Sequence, residues 1–123
     1  MSWSNKPTNF TDEVARDHRL ITIKIALDID QRLVLKTPVD EGTARANWIA
    51  SLGAAIFTPI ESSDKGGGTT IAKAASVFGA APNYPVLYIT NNMPYIRKLN
   101  DGSSIQAPKN FFEQSVAEIT DVL

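Results

Sequence analysis

Few residues in this chain are equipped for chemistry. His18 is its only histidine, and imidazole is the side chain that titrates nearest neutral pH. Catalysis by histidine requires a partnered site, and a lone histidine at the edge of an apolar helical face reads as a packing residue. Asp40, Glu41 and Arg45 offer an acid pair with a cation, but no nucleophile or base accompanies them. The plainer reading gives Asp40 to the backbone of its own turn, as is usual for Asp after a Pro-initiated break. Arg45 then reaches carbonyls or a neighbour's carboxylate. Asp64-Lys65-Gly66-Gly67-Gly68-Thr69-Thr70 invites a phosphate-cradle reading, because glycine-rich backbone at a helix N-terminus binds anions. The GxxxxGK[ST] spacing is absent and Lys65 precedes the glycines, so this stretch reads as a solvated, mobile loop able to fold against a partner. HExxH, CxxC and ligand-spaced carboxylate clusters are missing. No catalytic residue, metal ligand or cofactor-binding residue is predicted.

The elements that position these residues follow from periodicity. A long helix is predicted from Asn9–Thr11, with Asn9 or Thr11 as cap and Asp12 and Glu13 at the positive end of the dipole. Val14, His18, Ile21, Ile25 and Ile29 form one apolar stripe, and Leu20, Ile23, Leu27 and Val34 an adjacent one. That face is broad enough to pack on a sheet and also touch another chain. Asp12 with Arg16, and Asp28 with Arg32, are spaced as i,i+4 ion pairs. Pro38 ends the helix at about Lys36. Gly42 is free to take positive φ in the loop that follows. Asn47–Leu52 reads as a strand with Trp48, Ala50 and Leu52 on one face. Ile56, Phe57 and Ile60 are candidates for a short edge strand.

A second helix is capped by Thr69 or Thr70, carries Ile71, Ala74, Ala75 and Phe78 on one face, and stops at Gly79 and Pro82. Val86–Thr90 is a strand apolar on both faces, hence central. Asn91 and Asn92 either form a turn or supply an amide that pins the Asp40–Asn47 segment; the two roles are compatible. Pro94 opens a helical turn through Leu99, closed by Asp101-Gly102. Asn110 with Glu113 resembles a capping box for a last helix, whose buried stripe is Phe112, Val116, Ile119 and Leu123. The fold class is α+β: a long N-terminal helix and a C-terminal helix on a small, mainly antiparallel sheet. Residues 1–9 are an arm carrying Trp3, and residues 10–123 a single domain.

The bulk numbers narrow the function classes. The 123 residues carry 12 basic and 13 acidic side chains, a net charge of −1, with no cysteine. A chain this size buries a core without disulfides or metals. No basic cluster exists to neutralise phosphates, which argues against specific nucleic-acid binding. The absence of cysteine removes thiol chemistry and fits assembly in a reducing cytoplasm. The polar N-terminus has no signal-peptide character, and no run approaches the ~20 apolar residues of a membrane span.

Three segments in order carry a further signal: Pro38-Val39-Asp40 with Gly42, Arg45, Asn47 and Trp48; then Asn91 or Asn92 with Pro94, Tyr95, Leu99 and Gly102; then Gln106-Ala107-Pro108. Together they resemble the neck or tail-completion proteins of long-tailed bacteriophages, from about residue 10 to the C-terminus. Glu41 stands where that family's turn has Thr, Asn100 where it has Glu, and Asn110 where Gly is common. The resemblance implies a structural virion protein at the head–tail junction, assembled in the host cytoplasm, with no enzymatic activity. Its implied partners are connector, neck and tail proteins and further copies of itself in a ring. DNA would at most pass through the channel. A tail-terminator ring protein is the near alternative, and a small anion- or ligand-binding domain the distant one. The sixteen residues named in the three segments are then candidates for subunit or partner contact, and Trp48 is a candidate for either core or interface anchor.

Overall fold

The computed structural model describes residues 7–37, 42–94, 96–101 and 110–120. In chain order the elements are α1 (Pro7–Lys36), α2 (Thr43–Ala46), β1 (Trp48–Leu52), α3 (Gly68–Gly79), β2 (Leu87–Asn91), α4 (Ile96–Asn100) and α5 (Phe111–Thr120). The architecture is α+β. β1 and β2 pair antiparallel, Trp48 opposite Asn91 and Leu52 opposite Leu87.

α1 begins at Pro7, earlier than the predicted caps, so Asn9 and Thr11 lie inside the helix and Asp12 and Glu13 in its second turn. Proline suits a first turn because its missing N–H would have no helical partner there. The helix ends at Lys36 as predicted.

The core lies on one face of the sheet. Because paired residues share a face, Trp48, Ala50, Leu52, Leu87, Ile89 and Asn91 all point the same way. α1 and α3 cover that face: Ala26, Ala74 and Phe78 pack with Ala50, Leu52, Leu87 and Ile89. Alanines at the α1–α3 contact let the two backbones approach over the Phe78 ring. A second cluster joins Leu33 and Val34 of α1 to Trp48 and Phe111. Full burial of a ring such as Phe78 or Phe111 contributes roughly 1.5–3 kcal/mol relative to exposure.

Four expectations about elements are corrected. Only two strands pair among the described residues, so the 87–91 strand is not central. Ile56, Phe57 and Ile60 lie in irregular, exposed chain and form no strand. In α3 the buried side chains are Thr70, Ala74 and Phe78, while Ala75 is exposed. In α5 the buried stripe is Phe111, Ser115 and Ile119, and Phe112, 41% exposed, sits at the rim of the core. That stripe follows strict i,i+4 spacing from the first helical residue. Leu123 lies outside the described residues.

Arg32 also departs from its predicted partner. It joins Lys36 in binding the Glu118 carboxylate of α5, clamping the first helix to the last. Arg16 lies 3.8 Å from Asp17, its neighbour in the chain.

Candidate functional site

The Thr37–Trp48 region is where the chain concentrates its polar contacts. Helix ends leave carbonyls without partners, and α1 solves this with two side chains. Thr37 Oγ1 donates to the Leu33 carbonyl at 2.6 Å. Arg45 donates through Nη2 to the Leu35 carbonyl at 2.9 Å and through Nε to the Thr37 carbonyl at 2.8 Å. Its remaining arm, Nη1, donates to the Lys65 carbonyl at 2.8 Å. The planar guanidinium fork can serve three carbonyls at once, and its charge lies at the negative end of the α1 dipole. Of the two destinations predicted for Arg45, the structure uses carbonyls.

Asn47 is fully buried and acts as a piece of substitute backbone. Its Oδ1 accepts from the Ile60 N–H at 2.8 Å, and its Nδ2 donates to the carbonyls of Thr43 at 2.9 Å and Ile60 at 3.1 Å. Asn91 performs the same service from the other strand. Its Nδ2 donates to the Ala44 carbonyl at 2.9 Å, while its Oδ1 accepts from the Met93 N–H at 3.1 Å. Both roles foreseen for this asparagine, turn former and pin for the α2 segment, are present. Asn92 Nδ2 instead reaches the Ile56 carbonyl at 2.8 Å.

Trp48 is only 5% exposed. Its indole N–H donates to Thr37 Oγ1 at 2.7 Å, and its ring stacks on Phe112 with centroids 6.2 Å apart. Within the chain it is a core residue. Gly42 has φ +80°, and a Cβ there would lie 2.7 Å from the Lys65 nitrogen. The position therefore needs glycine twice, for its backbone angle and for close approach.

The glycine stretch before α3 is not loose. Asp64 accepts from the N–H of Thr70 at 2.7 Å, the Thr70 hydroxyl at 2.8 Å and the N–H of Gly67 at 3.1 Å. Thr70 is thus a donor to the cap rather than the cap itself. The Thr70 N–H, helped by that hydroxyl and by the N–H groups of Gly67 and Thr69, holds the Asp64 carboxyl below its usual range against a smaller effect of burial. The chain's own carboxylate takes the donors that a phosphate would need.

A comparable cap serves α5. Asn100 Oδ1 accepts from the Phe112 N–H at 2.9 Å, and its Nδ2 donates to the Glu113 carboxylate at 3.0 Å. The predicted capping box places Asn110 in that role, but Asn110 adopts φ 62°. It takes this left-handed conformation directly before α5, and a residue ten positions earlier supplies the cap.

Asp30 has no signal in the sequence that sets it apart from the other acidic residues of α1. It is 0% exposed, and neither carboxylate oxygen has a hydrogen-bond partner among the described residues. Burial pushes its pKa up to about 7. His18 is exposed and lies against Tyr84, ring centroids 5.0 Å apart. Among the described residues no group of three or more His, Asp or Glu could hold a metal ion.

Of the candidate contact residues, the structure brings Gly42, Arg45, Asn47, Trp48 and Asn91 together in one hydrogen-bonded brace, with Asn92 close by. Pro94 is exposed between β2 and α4, and Leu99 belongs to α4. Pro38, Val39, Asp40, Tyr95, Gly102, Gln106, Ala107 and Pro108 lie outside the described residues. No protein-family model, curated protein or solved structure matches the chain.

Proposed function

We propose that this chain is a structural subunit of the head–tail junction of a tailed bacteriophage, joining or completing the tail at the connector. It acts by shape, through association with further copies of itself and with neck, connector and tail proteins. The order and spacing of the three motif segments carry this reading. What supports it physically is the use to which the first two segments are put. Gly42, Arg45, Asn47, Trp48 and Asn91 form a rigid frame joining the end of α1, both strands and the turn before α3. A frame of this kind holds outward-facing segments such as 54–60 in fixed relation to the helices, as a docking piece requires.

The anion-binding alternative has less support, since Asp64 occupies the α3 N-terminal donors. Cryo-electron microscopy of intact particles, with subunit-specific labelling, tests the proposal. Density for this protein between connector and tail tube is the expected result. A label on the tube's end favours the tail-terminator reading, and normal infectious particles built without the protein would overturn both.

A further inference from the structure

Antiparallel pairs alternate between residues that exchange ladder bonds and residues that turn their N–H and C=O groups outward. The Gly53 N–H donates to the Val86 carbonyl at 2.9 Å, continuing the register that sets Leu52 opposite Leu87. Stepping back by twos, Ser51 with Tyr88 and Ile49 with Thr90 are the bonded pairs. Trp48, Ala50 and Leu52 therefore turn their backbone groups to the outer edge of β1. Among the described residues nothing bonds to the N–H or C=O of Ala50 or Leu52. Edges are usually shielded by charge, proline or a bulge. Trp48–Leu52 has no charged residue and no proline, and its register is unbroken.

Beside that edge, β1 and α3 enclose a cleft of about 320 Å³. Its walls include Ile49 and Ala50 of β1, Lys73, Ser76 and Val77 of α3, and Ile60. Lys73 alone among the described lining residues is charged; it is exposed and bonds to no described residue.

These features specify the occupant. N–H and C=O groups repeating every second residue, ~7 Å apart, are met by an extended backbone and not by a compact metabolite. An apolar cleft beside a strand edge takes the alternate side chains of an added strand. The free ammonium of Lys73 selects a carboxylate. A second copy of this sheet fits poorly. Two helices ~10 Å across cover two strands ~4.8 Å apart, so α1 and α3 overhang the edges. A copy approaching with its helices on the same side meets α3 before its strand reaches β1.

We propose that the cleft between the outer edge of β1 and α3 binds an extended segment of another protein. That segment adds a third strand beside Ala50, places a large apolar side chain in the cleft and offers a carboxylate to Lys73. The inference goes beyond the assembly reading above and does not depend on it.

Amide exchange followed by NMR on the full chain tests the edge first. Ala50 and Leu52 should exchange much faster than Ile49 and Ser51. Equal protection would mean that the chain covers its own edge, and would overturn the proposal. The ligand probe is a displayed library of random linear peptides, panned on the full chain, with the selected peptides then synthesised. An acidic residue close to a large apolar one is the expected selection. On binding, Ala50 and Leu52 should gain protection while Ile89, on the opposite edge, gains none. Methylating the peptide amides that face β1 should abolish binding, and methylating the alternate ones should not. Lys73→Glu should weaken binding several-fold with the melting temperature unchanged, and Lys73→Arg should retain it. Failure to select any peptide, protection at Ile89 in place of Ala50, or indifference to amide methylation overturns strand addition. Binding unchanged by Lys73→Glu overturns the carboxylate contact. None of these outcomes bears on whether intact particles contain the protein.

Discussion

Asp30 is the residue most at odds with its surroundings. A carboxyl buried without partners is tolerated in its neutral form, and ionising it costs stability. The unfolded chain releases this proton near 3.8, the folded chain near 7. The native state therefore holds more protons between those values, and stability falls as pH rises through the interval, by at most about 1.4 kcal/mol per unit. Asp30→Asn should match the parent near pH 4 and exceed it at pH 8, by about 1 kcal/mol or more. Thermal melts across that range measure the difference, and a parallel pH dependence in both proteins would contradict it.

Trp48 gives the opposite expectation. Truncation to Ala removes a buried ring and should cost about 3–5 kcal/mol. Phe at this position keeps most of the ring but leaves the Thr37 hydroxyl without its donor, a loss of about 1 kcal/mol. Urea titrations of the two variants separate packing from the hydrogen bond. A Trp48→Ala protein as stable as the parent would exclude the core role.

At the scale of elements, two helices start on side chains supplied from outside them. Asn100→Ala deprives α5 of its cap, which typically costs about 1 kcal/mol, and hydrogen exchange should quicken in α5 while α3 keeps its protection. Asp64→Asn weakens the α3 cap. Because the Asp64 carboxyl is held below its ordinary range, its contribution is present above the unfolded value and is lost as pH falls through the folded one. Asp64 and Asp30 thus act in opposite directions on acidification. The Glu118 clamp behaves like Asp64: Lys36 first, then Arg32, lowers its pKa, and the clamp loosens in acid.

Across the whole molecule, the brace between the end of α1 and the turn before α3 depends on Gly42. Gly42→Ala must accommodate a methyl group 2.7–2.9 Å from the backbone of Asp64 and Lys65 at a backbone angle that alanine disfavours. The variant should lose more than about 1 kcal/mol, and should also assemble poorly if the frame orients the 54–60 segment. A stable Gly42→Ala protein would show that the close approach can relax. Native-state exchange and particle yield measure the two effects separately.

Local patterns settled much of this fold in advance. The 3.6-residue period, the break at Pro38 and the β-branched run in 86–90 place α1, α3 and the two strands to within a few residues. Gly42 was legible because glycine marks a positive φ, and the Arg45 contacts with the Thr37 and Leu35 carbonyls because they lie only eight and ten residues away along the chain; the Asn91 contact with Ala44 spans 47 residues and could be foreseen only as a role, not as a partner. Tertiary packing decided the rest. The caps on α3 and α5 come from Asp64 and Asn100, residues whose reach depends on how the chain turns in space. Periodicity gives the width of an apolar stripe but not which part a neighbour covers, so the exposure of Ile21 and the burial of Asp30 could not be read from spacing. Burial is a property of the assembled surface, whereas helix and strand preference is largely written residue by residue.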